Sequence, residues 1–238
     1  MSIARFAAPT VLMAACLALA VAASAADRRE TREVGAFKSI GVSAPIRVEL
    51  TQGDADSVVV EGDEGALAQL EAIVENGALK LRQKTRERVP KMDKVKAFVT
   101  ARNVEALSIS GSGDIRSPSI RGGDLQLSIS GSGDMRIAQL AASKVAVSVS
   151  GSGDVHVAGK ADSISASIAG SGDLRAARLE VRDAHVSIGG SGAVTLWARD
   201  KLSARIAGSG DLRYYGDPSV NTSVAGSGSV KRVGATPS

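Results

Sequence analysis

Hydrophobic and polar positions alternate with a period of two in a block that recurs about every twenty residues. Each block contains a Gly-Ser-Gly triplet. Two positions before its first glycine the residue is always β-branched: Ile109, Ile129, Val149, Ile168, Ile188, Ile206 and Val224. Three positions before it the residue is always polar: Ser108, Ser128, Ser148, Ser167, Ser187, Arg205 and Ser223. Such alternation is typical of a strand that is buried on one face.

The apolar pattern resumes after each triplet. Four positions past the first glycine stand Ile115, Met135, Val155, Leu174, Val194, Leu212 and Val230. We therefore predict that each triplet is a corner between two strands, because glycine takes positive φ without a Cβ clash. The structural turn glycines are Gly111, Gly113, Gly131, Gly133, Gly151, Gly153, Gly170, Gly172, Gly190, Gly192, Gly208, Gly210, Gly226 and Gly228.

The spacing of the triplets predicts a stacked repeat. Successive first glycines lie 20, 20, 19, 20, 18 and 18 residues apart. One such coil buries too few apolar side chains to fold alone, whereas coils stacked at about 4.8 Å pair every strand with its neighbours. The fold class predicted is all-β: a single-stranded parallel β-helix, or β-solenoid, with about 20 residues per coil and seven GSG coils over residues 107–233.

The segment before the repeats, residues 26–106, is less regular and is predicted to form N-terminal coils and a cap. Strands are expected at 37–42, 46–51, 57–61, 79–83 and 95–100. A short helix is expected at 66–74, where Leu67, Leu70, Ile73 and Val74 share a face. The basic stretch 84–94 is expected to be an exposed loop, and 234–238 a flexible tail.

Residues 1–25 have the pattern of a secretory signal peptide. Arg5 precedes an uncharged run, and small residues end at Ala25. A membrane anchor or a lipid on Cys16 are the alternatives. Cleavage after Ala25 leaves a chain without cysteine and without an integral membrane span. We therefore expect an exported protein of the periplasm, the cell surface or the medium.

Charge and aromatic content bear on whether the protein binds nucleic acid. The chain has 29 Lys and Arg against 25 Asp and Glu, and the two signs alternate along its length. Aromatic residues make up only 3%. Nucleic-acid binding requires clustered cations with stacking aromatics, so no nucleic-acid partner is expected.

The phased series of GSGD turns, such as Gly111-Ser112-Gly113-Asp114 and Gly170-Ser171-Gly172-Asp173, resembles a known bacterial family. That family is the putative auto-transporter adhesin, head GIN domain, and the resemblance covers about 34–233, including the opening strand Phe37-Lys38-Ser39-Ile40. It implies a right-handed β-helix related to the pectin-lyase-like architecture, and an adhesive role.

Two charged stripes are the candidate chemistry. The residue after the turn is Asp114, Asp134, Asp154, Asp173 and Asp211, and two residues later stand Arg116, Arg136, His156, Arg175 and Arg213. We interpret these stripes first as structural, with Asp bonded to the amides of its own turn. A ligand or cation ladder and a carboxylate pair for glycoside hydrolysis are the alternatives. A catalytic site requires one unique constellation, which a residue repeated in successive coils does not provide. No metal and no cofactor are therefore assigned.

The aromatic pair Trp197 and Tyr215 interrupts the repeat. Both lie seven residues past their first glycine in adjacent coils. They are a candidate stacking platform for a sugar ring, with Arg199 or Arg213 nearby. The alternative is that they cover the C-terminal end of the core together with Tyr214.

The function predicted from the sequence is a non-enzymatic, adhesin-like interaction module that binds a polymer or protein partner through repeated polar ladders. The expected partner is a glycan or an envelope or host-surface protein. One alternative is a polysaccharide-active enzyme on the same architecture. Another is a purely structural envelope protein that self-associates through its end coils into a homo-oligomer.

Overall fold

The structure is a computed structural model that describes residues 28–84 and 92–237. The predicted signal peptide 1–25 and Cys16 lie outside these ranges. The strands are β1 (Arg28–Arg32), β2 (Ser39–Val42), β3 (Arg47–Gln52), β4 (Ser57–Gly62), β5 (Leu70–Glu75), β6 (Ala78–Gln83), β7 (Lys96–Ala101), β8 (Ala106–Gly111), β9 (Asp114–Ser117), β10 (Ile120–Arg121), β11 (Asp124–Gly131), β12 (Met135–Gly151), β13 (Val155–Gly170), β14 (Leu174–Gly190), β15 (Ala193–Gly208), β16 (Asp211–Tyr215), β17 (Ser219–Gly226) and β18 (Ser229–Gly234). Helix α1 spans Glu64–Gln69, and a single 3-10 turn spans Met92–Lys94.

The strands stack as a β-solenoid of about six turns with about 20 residues per turn, which confirms the predicted fold class. Parallel pairing places each triplet on the next: Gly111 pairs with Gly131, Gly131 with Gly151, and so on to Gly226. We call the stretch of each coil before the triplet the first face, and the stretch after it the second face. The first face contains β8, β11 and β17, and the second contains β9, β16 and β18; β12 to β15 run through both.

A short third side closes each coil and absorbs the differences in coil length. There Ile120 pairs with Leu140, and Gly159 pairs with Leu140 and Leu179. The register shifts between Ile137 and Leu140, and again between Ala176 and Glu180. Insertions and deletions therefore leave the corners and the first face in register.

The alternation of apolar and polar residues in the sequence separates buried from outward-facing positions, as predicted. The β-branched column before the corner is buried from Ile109 to Ile206, and the column after the corner is buried from Ile115 to Leu212. The polar column beside them faces outward and is exposed or half-buried. Burial of these columns forms a single continuous core along the solenoid axis.

The corner requires glycine for two different physical reasons. The first glycine has positive φ, for example 133° at Gly131. The second glycine lies against the preceding coil, so that a Cβ built on Gly133 would overlap the carbonyl oxygen of Gly113 and approach the Ile109 side chain at 2.7 Å. Stacking of the coils, and not the turn alone, therefore fixes the motif.

The N-terminal end does not follow chain order. Strands β2 and β3 pair with β6 and β7 on one side and with β8 and β9 on the other. The coil formed by β6 and β7 therefore stacks outside the earlier one. The expected strands at 37–42, 46–51, 57–61, 79–83 and 95–100 are all present within one or two residues. The expectation of parallel coils holds for four of them, whereas β4 pairs antiparallel with β1 and β7.

The predicted helix at 66–74 was wrong in its second half. Helix α1 is capped by Asp63, whose carboxylate accepts a hydrogen bond from the Gly65 amide, and it ends at Gln69. From Leu70 the chain forms β5, which pairs antiparallel with β6. The reason is the turn between them: Asn76 and Gly77 have φ of 51° and 74°, the signature of a two-residue hairpin.

The basic stretch 84–94 is described only in part, since 85–91 lie outside the described residues. Met92 is buried at 3% exposure, and its carbonyl accepts a hydrogen bond from the Val95 amide. The end of this predicted exposed loop is thus anchored to the core.

The C-terminal end of the described solenoid is open. Val220, Val224 and Val233 are 40–43% exposed, although Val224 continues a column that is otherwise buried. No helix in residues 28–84 and 92–237 is long and apolar enough to cross a membrane.

Candidate functional site

The aspartate stripe forms one column along the second face. Asp114 pairs in register with Arg47 of β3, and β9 pairs in turn with β12. The column continues through Asp134, Asp154 and Asp173 to Ala193 and Asp211. Parallel coils place successive members about 4.8 Å apart.

Each carboxylate of this column is bound by the following coil. The Oδ1 atom of Asp154 accepts a hydrogen bond from the Asp173 amide at 3.1 Å, and Asp173 Oδ1 accepts one from Ala193 at 3.0 Å. Asp114 and Asp134 accept equivalent bonds at 3.4 Å, and Asp211 accepts one from Ser229 at 3.1 Å. The expected bond to the aspartate's own turn is therefore corrected: the amide belongs to the next coil, because each Asp side chain lies beneath it.

This arrangement makes the aspartates cross-braces between coils. Where Ala193 replaces Asp, the Asp211 amide donates instead to the Gly192 carbonyl at 3.2 Å. Among the described residues, no group of three or more His, Cys, Asp or Glu side chains is placed to hold a metal ion.

The basic stripe runs beside the aspartates. Glu49 pairs in register with Arg116, and the column continues through Arg136, His156 and Arg175 to Thr195 and Arg213. Arg175 is the most constrained member: it contacts Asp154 at 3.2 Å and Asp173 at 3.3 Å. Within residues 28–84 and 92–237, the side chains of Arg116 and Arg136 donate no hydrogen bond and form no ion pair. Their guanidinium groups are available to a ligand.

His156 occupies the middle of this column, beside Arg175. The Arg175 guanidinium lies 3.0 Å from its Nε2 atom, and because arginine only donates, a hydrogen bond there requires the neutral tautomer with its proton on Nδ1. Burial lowers the pKa of His156 below its ordinary 6.5, and the charges of Arg175 and Arg136 lower it further. The carboxylates of Asp154 and Asp134 oppose this shift.

A groove of about 780 Å³ lies where the second face turns into the third side. The basic column forms one wall, with Arg116, Arg136, His156 and Arg175. Small apolar residues form the opposite side: Pro118, Ala138, Ala158 and Ala177. Arg178 also lines the groove. Arg178 cannot be recognised from the repeat pattern, because it lies on the irregular third side, out of phase with the repeat.

The aromatic pair is brought together. Trp197 and Tyr215 pair in register between β15 and β16, and both are half-buried. Tyr214 packs against the core. Of the two arginines expected nearby, Arg199 pairs with Glu180 at 3.0 Å, whereas Arg213 is exposed. The sugar platform therefore stays a prediction, with the exposed Arg213 as its neighbouring cation.

A second hollow, of about 650 Å³, lies along the first face. Its described lining includes Asp124, Lys144, Ser163, Ser165 and His185. His185 is exposed, which agrees with its interpretation as a surface strand residue. Several acidic and basic side chains line this hollow, whereas Glu49 is the only carboxylate among the described residues that line the basic groove.

Stacked parallel strands, glycine corners and outward polar columns define the chain as a β-solenoid protein. It belongs to the family described as putative auto-transporter adhesin, head GIN domain, whose model matches residues 36–218. The resemblance drawn from the GSGD turns is thereby confirmed.

Solved structures show the same fold. A putative adhesin from Bacteroides fragilis NCTC 9343 is 24% identical with a TM-score of 0.84, covering 88% of this chain and 98% of its own. A putative lipid binding protein from Parabacteroides distasonis ATCC 8503 is 24% identical with a TM-score of 0.72, covering 87% and 97%. A putative adhesin from Parabacteroides merdae ATCC 43184 is 21% identical with a TM-score of 0.68, covering 87% and 96%. None of the curated proteins compared with this chain matches it.

Proposed function

We propose that this protein is an exported, non-enzymatic, adhesin-like module of the cell envelope or the medium. It binds a polymer or protein partner through the repeated polar columns of its second face. The observation that carries the proposal is the register of the basic column beside the aspartate cross-braces. Membership of the adhesin family supports the general role.

The physical basis is multivalency on a rigid scaffold. Hydrogen bonds from coil to coil hold the backbone positions of the outward side chains at a fixed spacing, so that binding does not have to order the backbone. A ligand with a repeating structure then makes the same weak contact several times, and its second and later contacts are intramolecular. Affinity arises from the number of coils engaged.

The proposal is tested by screening the purified protein against a glycan array and in pull-downs from envelope extracts. The ligand found should be lost in Arg136→Gln, a second-face variant, and retained in Arg205→Gln. Arg205 is an exposed residue of the first face and has the same charge. A ligand that binds both variants equally well, or the absence of any ligand, would contradict the proposal.

A further inference from the structure

The basic groove differs from the rest of the surface in the balance of its free charges. In the aspartate column beside it, the Oδ1 atoms of Asp134, Asp154 and Asp173 accept backbone amides. The Oδ2 atoms of Asp154 and Asp173 contact Arg175. The carboxylates of Asp154 and Asp173 are therefore engaged within the protein, whereas the side chains of Arg116 and Arg136 are not. Glu49, in register with Arg116, is the one carboxylate among the described residues that line the groove. The groove presents a surplus of unpaired guanidinium donors.

The spacing of these donors selects among anionic ligands. Arg116 and Arg136 lie in adjacent coils of the column, so their backbone positions are about 4.8 Å apart along the solenoid axis. In an extended peptide, side chains on one side recur only every second residue, at about 6.6 Å, and fall out of step with the coils. A chain that carries one anionic group on each successive residue of similar length stays in step.

The remaining lining favours sugar rings over nucleotide bases. Pro118, Ala138, Ala158 and Ala177 make a smooth, weakly apolar side on which the C–H faces of pyranose rings can pack. Of the described residues that line the groove, none is Phe, Tyr or Trp. Single-stranded nucleic acids are bound through base stacking on such aromatics.

We propose that this groove binds an acidic polysaccharide, lying along the solenoid axis with its carboxylates on the basic column. The inference rests on the proposed function and specifies its ligand class. Arg116 and Arg136 donate to successive carboxylates, because guanidinium groups bind carboxylates in bidentate geometry. Arg178 faces the ligand from the third side.

The test is calorimetric binding at low salt with polygalacturonate as the probe. Fully methyl-esterified polygalacturonate is the matched ligand control, since it keeps the sugar backbone and removes the charge. The free acid should bind and the ester should not. Hexagalacturonate should bind at least ten times more tightly than monogalacturonate, because several coils are engaged.

The residue test compares two double variants that remove the same charge. Arg116→Gln/Arg136→Gln should weaken polygalacturonate binding at least tenfold. Lys201→Gln/Arg205→Gln, at exposed positions of the first face, should change it less than twofold. All four side chains are outside the core, so both proteins should keep the wild-type melting temperature.

Four outcomes would overturn the inference: no binding of the free acid, equal binding of the ester, equal losses in both double variants, or binding of poly-glutamate or single-stranded DNA at the same site as tightly as polygalacturonate. The proposed function fails separately. A neutral glycan or envelope protein that binds and depends on the second face would support that function while contradicting this ligand class.

Discussion

Single residues at the corner show how stacking dictates sequence. A glycine motif is often attributed to backbone freedom alone. Here only the first glycine has positive φ, whereas the second is required because the preceding coil leaves no room for a Cβ. The serine between them is exposed, so the motif is structural at its two ends only.

Gly133→Ala should destabilise the fold strongly. Its Cβ would meet the Gly113 carbonyl and the Ile109 side chain, and backbone cannot move without separating two coils. The expected loss is about 3 kcal/mol in the free energy of unfolding. Gly123→Ala is the control, since a Cβ there meets nothing within 4 Å, and it should be neutral or slightly stabilising. Urea unfolding of both variants checks this, and equal tolerance would contradict the packing argument.

His156 should titrate below its ordinary pKa of 6.5, because burial and two arginines disfavour the imidazolium. The folded state therefore binds this proton less readily than the unfolded chain. Its contribution to stability is intact above pH 6.5 and declines as the pH falls from there toward the folded-state pKa. In Arg136→Gln the pKa of His156 should rise. NMR titration of the imidazole measures the pKa of His156 in the wild type and in the variant. A wild-type midpoint at or above 6.5, or the same midpoint in both proteins, would contradict the placement of His156 between the two arginines.

At the scale of elements, the N-terminal cap depends on one buried carboxylate. Asp56, with a side chain only 6% exposed, accepts hydrogen bonds from the Arg102 amide at 2.8 Å and from its guanidinium at 2.8 and 3.1 Å. These bonds join the loop before β4 to the end of β7. They hold the pKa of Asp56 below its ordinary 3.8.

Asp56→Asn should therefore loosen the cap. The expected loss is about 1–3 kcal/mol at neutral pH, because bonds to a charged group are replaced by weaker ones. In the wild type this stabilisation is present above pH 3.8 and is lost as the pH falls through the lower folded-state pKa. Unfolding measured between about pH 5 and pH 2 should show a free energy of unfolding that depends less on pH in the variant than in the wild type. Parallel pH profiles would show that the Asp56 carboxylate does not stabilise the cap.

An element of this fold can be predicted from the sequence where its contacts recur in every coil. The strands, corners and charged columns of the GSG region are predictable, because every coil repeats the same local pattern. The stacking of β6 and β7 outside β2 and β3 is not, because nothing local distinguishes the two orders. The placement of Arg178 in the groove is not predictable either, because residues of the third side do not recur at a fixed position in the repeat. The Asp to amide bonds between coils require knowledge of which atoms overlie one another.

Across the whole molecule, the solenoid is closed at one end and open at the other. The strands β1, β4 and β5 and helix α1 cover the N-terminal end, whereas no further described coil stacks on β17 and β18, which flank the last described corner. The same repeat position therefore experiences different environments along the axis. Val149 is 1% exposed and Val224 is 43% exposed.

Because burial differs along the axis, the same Val→Ala substitution should have unequal effects on stability in different coils. Val149→Ala should cost about 2 kcal/mol, from lost burial and the cavity left behind. Val224→Ala removes the same atoms at the same phase and should cost less than about 0.5 kcal/mol. Thermal unfolding of the two variants compares them directly. Equal losses would mean that the C-terminal end is covered in solution.

The central claim is that the glycine corners build the scaffold and the basic column of the second face binds the ligand. Hydrogen–deuterium exchange with and without polygalacturonate tests it most directly. We expect slower exchange in peptides covering 114–118, 135–138 and 174–178, with no change across 183–190 of the first face. Slowed exchange confined to the first face would contradict it.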